Sequence, residues 1–155
     1  MLRRHGLWIL LLLSALLLTA CSGRADAPVE QAAANLTIDV KALTGDVTFI
    51  DWEQNGTAMQ LIARLDDAGQ VRLAFNTCQS CGGSPYARFE DLGDGTLQCQ
   101  NCGLTFPLDS VGTEKAMGCN PVTITDFTVE GDTVTVPETL LKANVERFAN
   151  WKKFE

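Results

Sequence analysis

Val71-Arg-Leu-Ala-Phe-Asn-Thr-Cys78-Gln-Ser-Cys81-Gly-Gly83 reads as a strand that runs without a break into a pair of thiols. Val71, Leu73 and Phe75 alternate with period two, the pattern of one buried strand face. Cys78-x-x-Cys81-Gly is a tight turn, or knuckle, that aims two sulfurs at one point, and the glycine after it tolerates backbone angles other residues resist. The first pair of thiols therefore hangs from a strand end, held by a sheet rather than by a loose loop. Seventeen residues separate it from a second such turn, Cys99-Gln-Asn-Cys102-Gly103. That spacing lies in the roughly 15–20-residue window of paired C-x-x-C turns that surround one tetrahedral centre. A fifth thiol stands in Gly118-Cys119-Asn120-Pro121.

Upstream, Leu36–Val40, Val47–Glu53, Ala58–Leu65 and Val71–Asn76 read as successive strands. Asn55-Gly56 is the preferred pair for a type I′ hairpin, and Asp67-Ala68-Gly69 closes the next one. Met59, Leu61, Ala63 and Leu65 share one face, so a meander with one buried face is expected. Met59 lies on that face and reads as packing rather than as a soft metal ligand.

Downstream, Tyr86–Phe89 and Thr96–Gln98 form a short hairpin across Asp94-Gly95, and Cys99 begins the second turn at once. Leu104 and Phe106 alternate out of that turn until Pro107 stops the strand. Val111–Gly118 is an approach to Cys119. Val122–Val129 and Thr133–Val136 form a last hairpin turned at Glu130-Gly131-Asp132. Pro137 sets up a helix over Glu138–Trp151 whose stripe of Leu141, Val145 and Phe148 caps the sheet. Trp52 and Trp151 read as core. The expected fold is mainly β: a small antiparallel sheet with two C-x-x-C-G knuckles, a ribbon- or rubredoxin-like site, and a C-terminal capping helix.

The N-terminus reads as processing signal. Arg3 and Arg4 precede an apolar run, Leu7–Leu18, broken only by Ser14 and shorter than the ~20 residues that span a bilayer. It ends in Leu18-Thr19-Ala20-Cys21, which resembles a bacterial lipobox with Cys21 as the lipidated first residue of the mature chain. An ordinary signal peptide or an uncleaved anchor is the alternative. The expected organisation is a signal at residues 1–20, a tether at 21–35 and one cysteine-rich domain at 36–155. It places that domain on the extracytoplasmic face of a bacterial membrane.

The only histidine is His5, which leaves with the signal. Cys2His2 sites, His-ligated clusters, type-1 copper, His-ligated haem and Cys-His or Ser-His nucleophile pairs are thereby excluded. The net charge of −7 becomes more negative by the loss of Arg3 and Arg4, which argues against nucleic acid as a partner. The carboxylates are scattered on turns with no base–nucleophile pair, so a carrier is expected rather than a catalyst with its own substrate. Of six cysteines, Cys21 is assigned to lipid. The odd number remaining fits four ligands and one extra thiol better than a closed disulfide framework.

Four chemistries are open to Cys78, Cys81, Cys99, Cys102 and Cys119. They are a zinc or iron ion on the two knuckles, an iron–sulfur cluster on those four or on a set including Cys119, a disulfide set, and a redox-active dithiol. The metal readings are favoured: neither C-x-x-C opens a helix in a βαβ context, which speaks against the dithiol, and the odd thiol count speaks against a disulfide set.

These residues resemble a known family. Cys78-x-x-Cys81, Tyr86, Cys99-x-Asn101-Cys102-Gly103, Phe106, Val111-Gly112 and Gly118-Cys119-Asn120-Pro121, within Val47–Val136, are similar to the FtrD-like membrane iron–sulfur proteins found with bacterial ferrous-iron uptake systems. The resemblance implies a membrane-associated iron–sulfur protein that passes electrons to or from a redox partner of an iron permease or oxidase. Export qualifies the cofactor. Arg3-Arg4 lacks the rest of a twin-arginine signal and precedes a Leu-rich core, as general secretion prefers, so a single iron or zinc ion is easier to supply than a preassembled cluster. Cys119 is the residue on which the alternatives part: a cluster or redox cycle uses it, and a structural zinc-ribbon interaction module leaves it spare.

Overall fold

In a computed structural model the strand that ends at Cys78 lies inside a four-stranded sheet with an apolar core on each face. The residues described are 34–113 and 118–154, all within the second of two units, 1–31 and 32–155, into which the chain divides. The signal segment, Cys21 and the tether up to residue 33 lie outside them. The strands are β1 (Leu36–Asp39), β2 (Thr48–Gln54), β3 (Thr57–Leu65), β4 (Val71–Cys78), β5 (Phe89–Asp91), β6 (Thr96–Cys99), β7 (Thr105–Pro107), β8 (Pro121–Ile124), β9 (Thr128–Glu130) and β10 (Thr133–Val136), followed by helix α1 (Glu138–Asn144). They form three sheets of order β1-β10-β9, β2-β3-β4-β8 and β5-β6-β7, every pairing antiparallel. The chain is mainly β, as its patterning predicts.

The β2-β3-β4 meander forms with the expected turn chemistry. Asn55 and Gly56 take φ values of 52° and 74°, the two positive angles that a type I′ turn requires. Met59, Leu61, Ala63, Leu73 and Phe75 face one core with α1, β1 and β10, and Met59 is packing there. The expectation of a single buried face needs correction. Ile62 and Ala74, on the other face, pack against Ala87, Phe89, Leu97, Phe106, Val111 and two of the cysteines. The cysteine-bearing sheet β5-β6-β7 covers that face and dries it.

Three boundaries also differ from the sequence reading. The stretch Val122–Val129 is not one strand of a hairpin: β8 pairs with β4, whereas β9 pairs with β10 in another sheet. Thr125–Phe127 carries the chain between them. Tyr86 sits in a turn, closed by Ala87 N–H donating to the Ser84 carbonyl at 3.1 Å, and the strand starts only at Phe89. The helix ends at Asn144 and continues as a 3-10 turn over Val145–Phe148. Asn144 has left the helical region (φ −109°, ψ 1°), and its side-chain amide donates to the Leu140 carbonyl. Such local bonds compete with the helical ladder.

Candidate metal centre

The first pair of thiols is fixed by the end of β4. Cys78 N–H donates to Ala87 O at 3.3 Å, and Cys81 N–H points at Cys78 Sγ at 3.4 Å. The left-handed residue after this turn is Gly83 (φ 88°) rather than Gly82. The second pair leaves β6: Cys99 N–H donates to Leu104 O at 2.9 Å, and Gly103, at φ 74°, returns its N–H to Cys99 O at 2.8 Å. Buried Asn76, on β4, is bonded to β5, the strand that pairs with β6. Its Oδ1 accepts Phe89 N–H at 2.7 Å while its Nδ2 donates to Phe89 O at 3.2 Å.

Cys119 reaches the same place from β8. Gln79 N–H donates to Asn120 O at 2.9 Å and the Ser80 hydroxyl to Gly118 O at 2.9 Å, so the residues on both sides of Cys119 are bonded to the first turn. The β4–β8 ladder carries a bulge between Phe75 and Cys78 and sets Cys78 opposite Pro121.

All five expected thiols converge. The sulfurs of Cys78, Cys81 and Cys119 lie within 4.8 Å of one another, and so do those of Cys81, Cys99 and Cys102, with Cys81 in both groups. Sulfurs around one tetrahedral ion stand about 3.8 Å apart, given a metal–sulfur bond near 2.3 Å. All five are free thiols. The environment is graded: Cys78 and Cys99 are buried, Cys81 and Cys119 half-buried, Cys102 exposed.

Electrostatics follows that gradient. Burial pushes the thiols of Cys78 and Cys99 up, and Cys119 is raised to about 11, chiefly by its bond to Cys102. Cys102 is held below the usual thiol value, first by the Leu104 N–H and then by Cys119. The N–H groups of Cys81 and Ser80 act on Cys78, and those of Cys102 and Asn101 on Cys99, each favouring the anion against burial. Thr77 Oγ1 and Asn120 Nδ2, each next in chain to a cysteine, are buried with no hydrogen-bond partner among the described residues.

The sequence reading did not assign the C-terminal segment a part in this region. Trp151 Nε1–H donates to Asn76 O at 2.9 Å, Asn150 Nδ2–H to Gly83 O at 3.1 Å and Lys152 N–H to Pro85 O at 3.0 Å. No periodicity announces these bonds, because they follow the end of the helix. Among the described residues no helix is long and apolar enough to cross a membrane.

Comparison with curated proteins and with solved structures gives no match. The family described as membrane iron-sulfur containing protein FtrD-like matches residues 28–148, which hold all five converging cysteines and every described strand. The chain belongs to the FtrD-like family of membrane iron–sulfur-containing proteins.

Proposed function

We propose that this chain is a lipid-anchored, extracytoplasmic electron carrier whose centre is held by Cys78, Cys81, Cys99, Cys102 and Cys119, and that it serves an iron-transport system. The observation that carries the reading is the convergence of Cys119 with both C-x-x-C pairs, five thiols in two groups that share Cys81. A module built for one structural zinc ion needs four.

The donor set fits an iron–sulfur cluster or iron. Backbone N–H groups directed at sulfur are wasted on neutral thiols, which are weak acceptors, and stabilise thiolates well. Asn120 Nδ2 and Thr77 Oγ1, on residues next in chain to Cys119 and Cys78, are buried with no hydrogen-bond partner among the described residues. Such a group, when bound, supplies one-electron chemistry. The chain's residues do the rest. Ala87, Phe89, Leu97 and Phe106 exclude water from one side, and exposed Cys102 leaves an edge through which a partner is reached. The lipid anchor at Cys21 and the link to iron uptake rest on the lipobox-like sequence and on family resemblance.

The test is to purify residues 22–155 by both export routes and measure metal, acid-labile sulfide and the visible spectrum. Brown protein with sulfide is expected, or red protein with iron alone. Colourless protein with stoichiometric zinc moves the reading to a structural ribbon, and metal-free protein whose thiols react only after reduction overturns both. Cys119→Ser is expected to change metal content or reduction potential; no change makes that thiol structural.

A further inference from the structure

The cations of this acidic chain are unevenly neutralised. Lys41, Arg64, Arg72, Arg88 and Lys142 each pair with a carboxylate, of Asp132, Asp109, Asp66, Glu90 and Glu138 respectively. The other three described cations, Arg147, Lys152 and Lys153, make no ion pair among the described residues, and all lie in the seven residues that follow Glu146. Lys152 is half-buried, its Nζ 4.6 Å above the Trp151 ring, and it lines a cavity with Arg88, Glu90 and Asp91, whereas Lys153 is exposed.

Beside these lysines is exposed aromatic surface. Tyr86 is 46% and Phe154 70% exposed, with ring centroids 6.5 Å apart. Exposed large aromatics held side by side mark contact surfaces more than solitary ones do. The patch also borders the thiols. Lys152 N–H is bonded to Pro85 O, next to Tyr86. The Ser84 hydroxyl of the same turn donates to Asn101 Oδ1 at 2.6 Å, one residue from exposed Cys102.

We propose that Tyr86, Phe154, Lys152 and Lys153 form the docking surface for a redox-active protein that presents clustered carboxylates. The inference rests on the electron-carrier reading and names the class of its partner. One electron passes between the reduced centre of one protein and the oxidised centre of the other, with no bond made or broken. Local complementarity suffices for such a partner. Anionic lipid offers the same sign of charge, and the vesicle arm of the test distinguishes it from a protein partner.

A plant-type ferredoxin, an acidic electron carrier, serves as the probe. The purified protein, labelled with nitrogen-15, is titrated at low salt. Amide shifts are expected at Gly83, Tyr86, Asn101, Lys152, Lys153 and Phe154, with affinity at least about tenfold weaker near 0.5 M salt. The double variant Lys152→Glu/Lys153→Glu is expected to weaken binding tenfold or more, Lys153→Glu alone to weaken it in part, and Lys142→Glu to leave it within about twofold. Shifts located elsewhere, no shifts, or equal losses from Lys142→Glu overturn the proposal. So does binding through the same residues to vesicles of phosphatidylcholine and phosphatidylglycerol with no response to ferredoxin. The amide shifts do not depend on the centre's redox activity, so failure here is distinct from failure of the electron-carrier reading, which shows as absence of redox-active metal.

Discussion

Gly112 lies against the backbone of Leu73: a Cβ on Gly112 would come within 2.8 Å of Leu73 N and 3.0 Å of Leu73 O. Its φ of 68° is in the left-handed region as well. Two independent reasons, close approach and backbone sign, therefore require glycine where the chain turns off Val111 towards Cys119. Gly112→Ala is expected to cost about 3 kcal/mol, the sum of left-handed strain and overlap with a strand that cannot move. Urea unfolding followed by circular dichroism measures it. A cost below about 0.5 kcal/mol would mean that the turn relaxes freely.

Alkylation of the metal-free protein should proceed in order of exposure and acidity. Cys102, exposed and held below the usual thiol value by the Leu104 N–H, reacts first. Cys78 and Cys99, buried and shifted upward by that burial, react last. Timed iodoacetamide labelling with peptide mass spectrometry reads the order. Cys78 reacting as fast as Cys102 would show that β4 opens at its end.

Asp66 gives stability a defined pH dependence. The Gln70 N–H, the Arg72 guanidinium and the Ala68 N–H all hold its carboxyl below the ordinary 3.8. A depressed carboxyl contributes stability that is fully present above its ordinary value and is lost as pH falls through its folded one. Asp66→Asn is therefore expected to lower the melting temperature at pH 7. The gap to the parent should shrink below pH 3.8, where the parent also loses the charge. A gap that stays constant from pH 7 to pH 2 would place the effect in turn geometry instead.

Trp151→Phe keeps an aromatic ring beside Phe148 and removes the N–H that serves Asn76 O, together with part of the indole's packing. Leaving a buried carbonyl unmet costs about 1–2 kcal/mol. Asn76 stands two residues before Cys78, so hydrogen exchange at Thr77 and Cys78 should accelerate with the loss of stability. Unchanged exchange there would separate the C-terminal segment from the thiol site.

Much of this arrangement is legible in the sequence, for physical reasons that also set its limits. Asn55-Gly56 and the period-two faces of β3 and β4 are local signals, and they define the meander. The same alternation puts Ile62 and Ala74 on the reverse face, where they read as ordinary strand residues until β5-β6-β7 arrives to cover them. Pairing of β1 with β10 joins residues a hundred positions apart, Leu36 with Val136, and no short-range pattern encodes it. For the site, spacing brings the two C-x-x-C pairs together. Cys119 joins them through the β4–β8 ladder and its bulge, a long-range contact that framing by Gly118 and Pro121 only hints at. The bonds of Asn150, Trp151 and Lys152 to the first turn and its strand follow the end of the helix, where no periodic pattern signals them.

The β4–β8 ladder has a consequence for the order in which the molecule is made. Cys119 sits beyond the whole β5-β6-β7 hairpin from Cys78, so a metal gripped by both sulfurs closes a loop of roughly forty residues. Closing a loop that size in the unfolded chain is worth about 4 kcal/mol of entropy, as a covalent cross-link there would be. A metal held there would act as a clasp. The meander can form early, from contacts within thirty residues. A metal bound by Cys78 and Cys119 would add to the β4–β8 ladder in holding β8 in place.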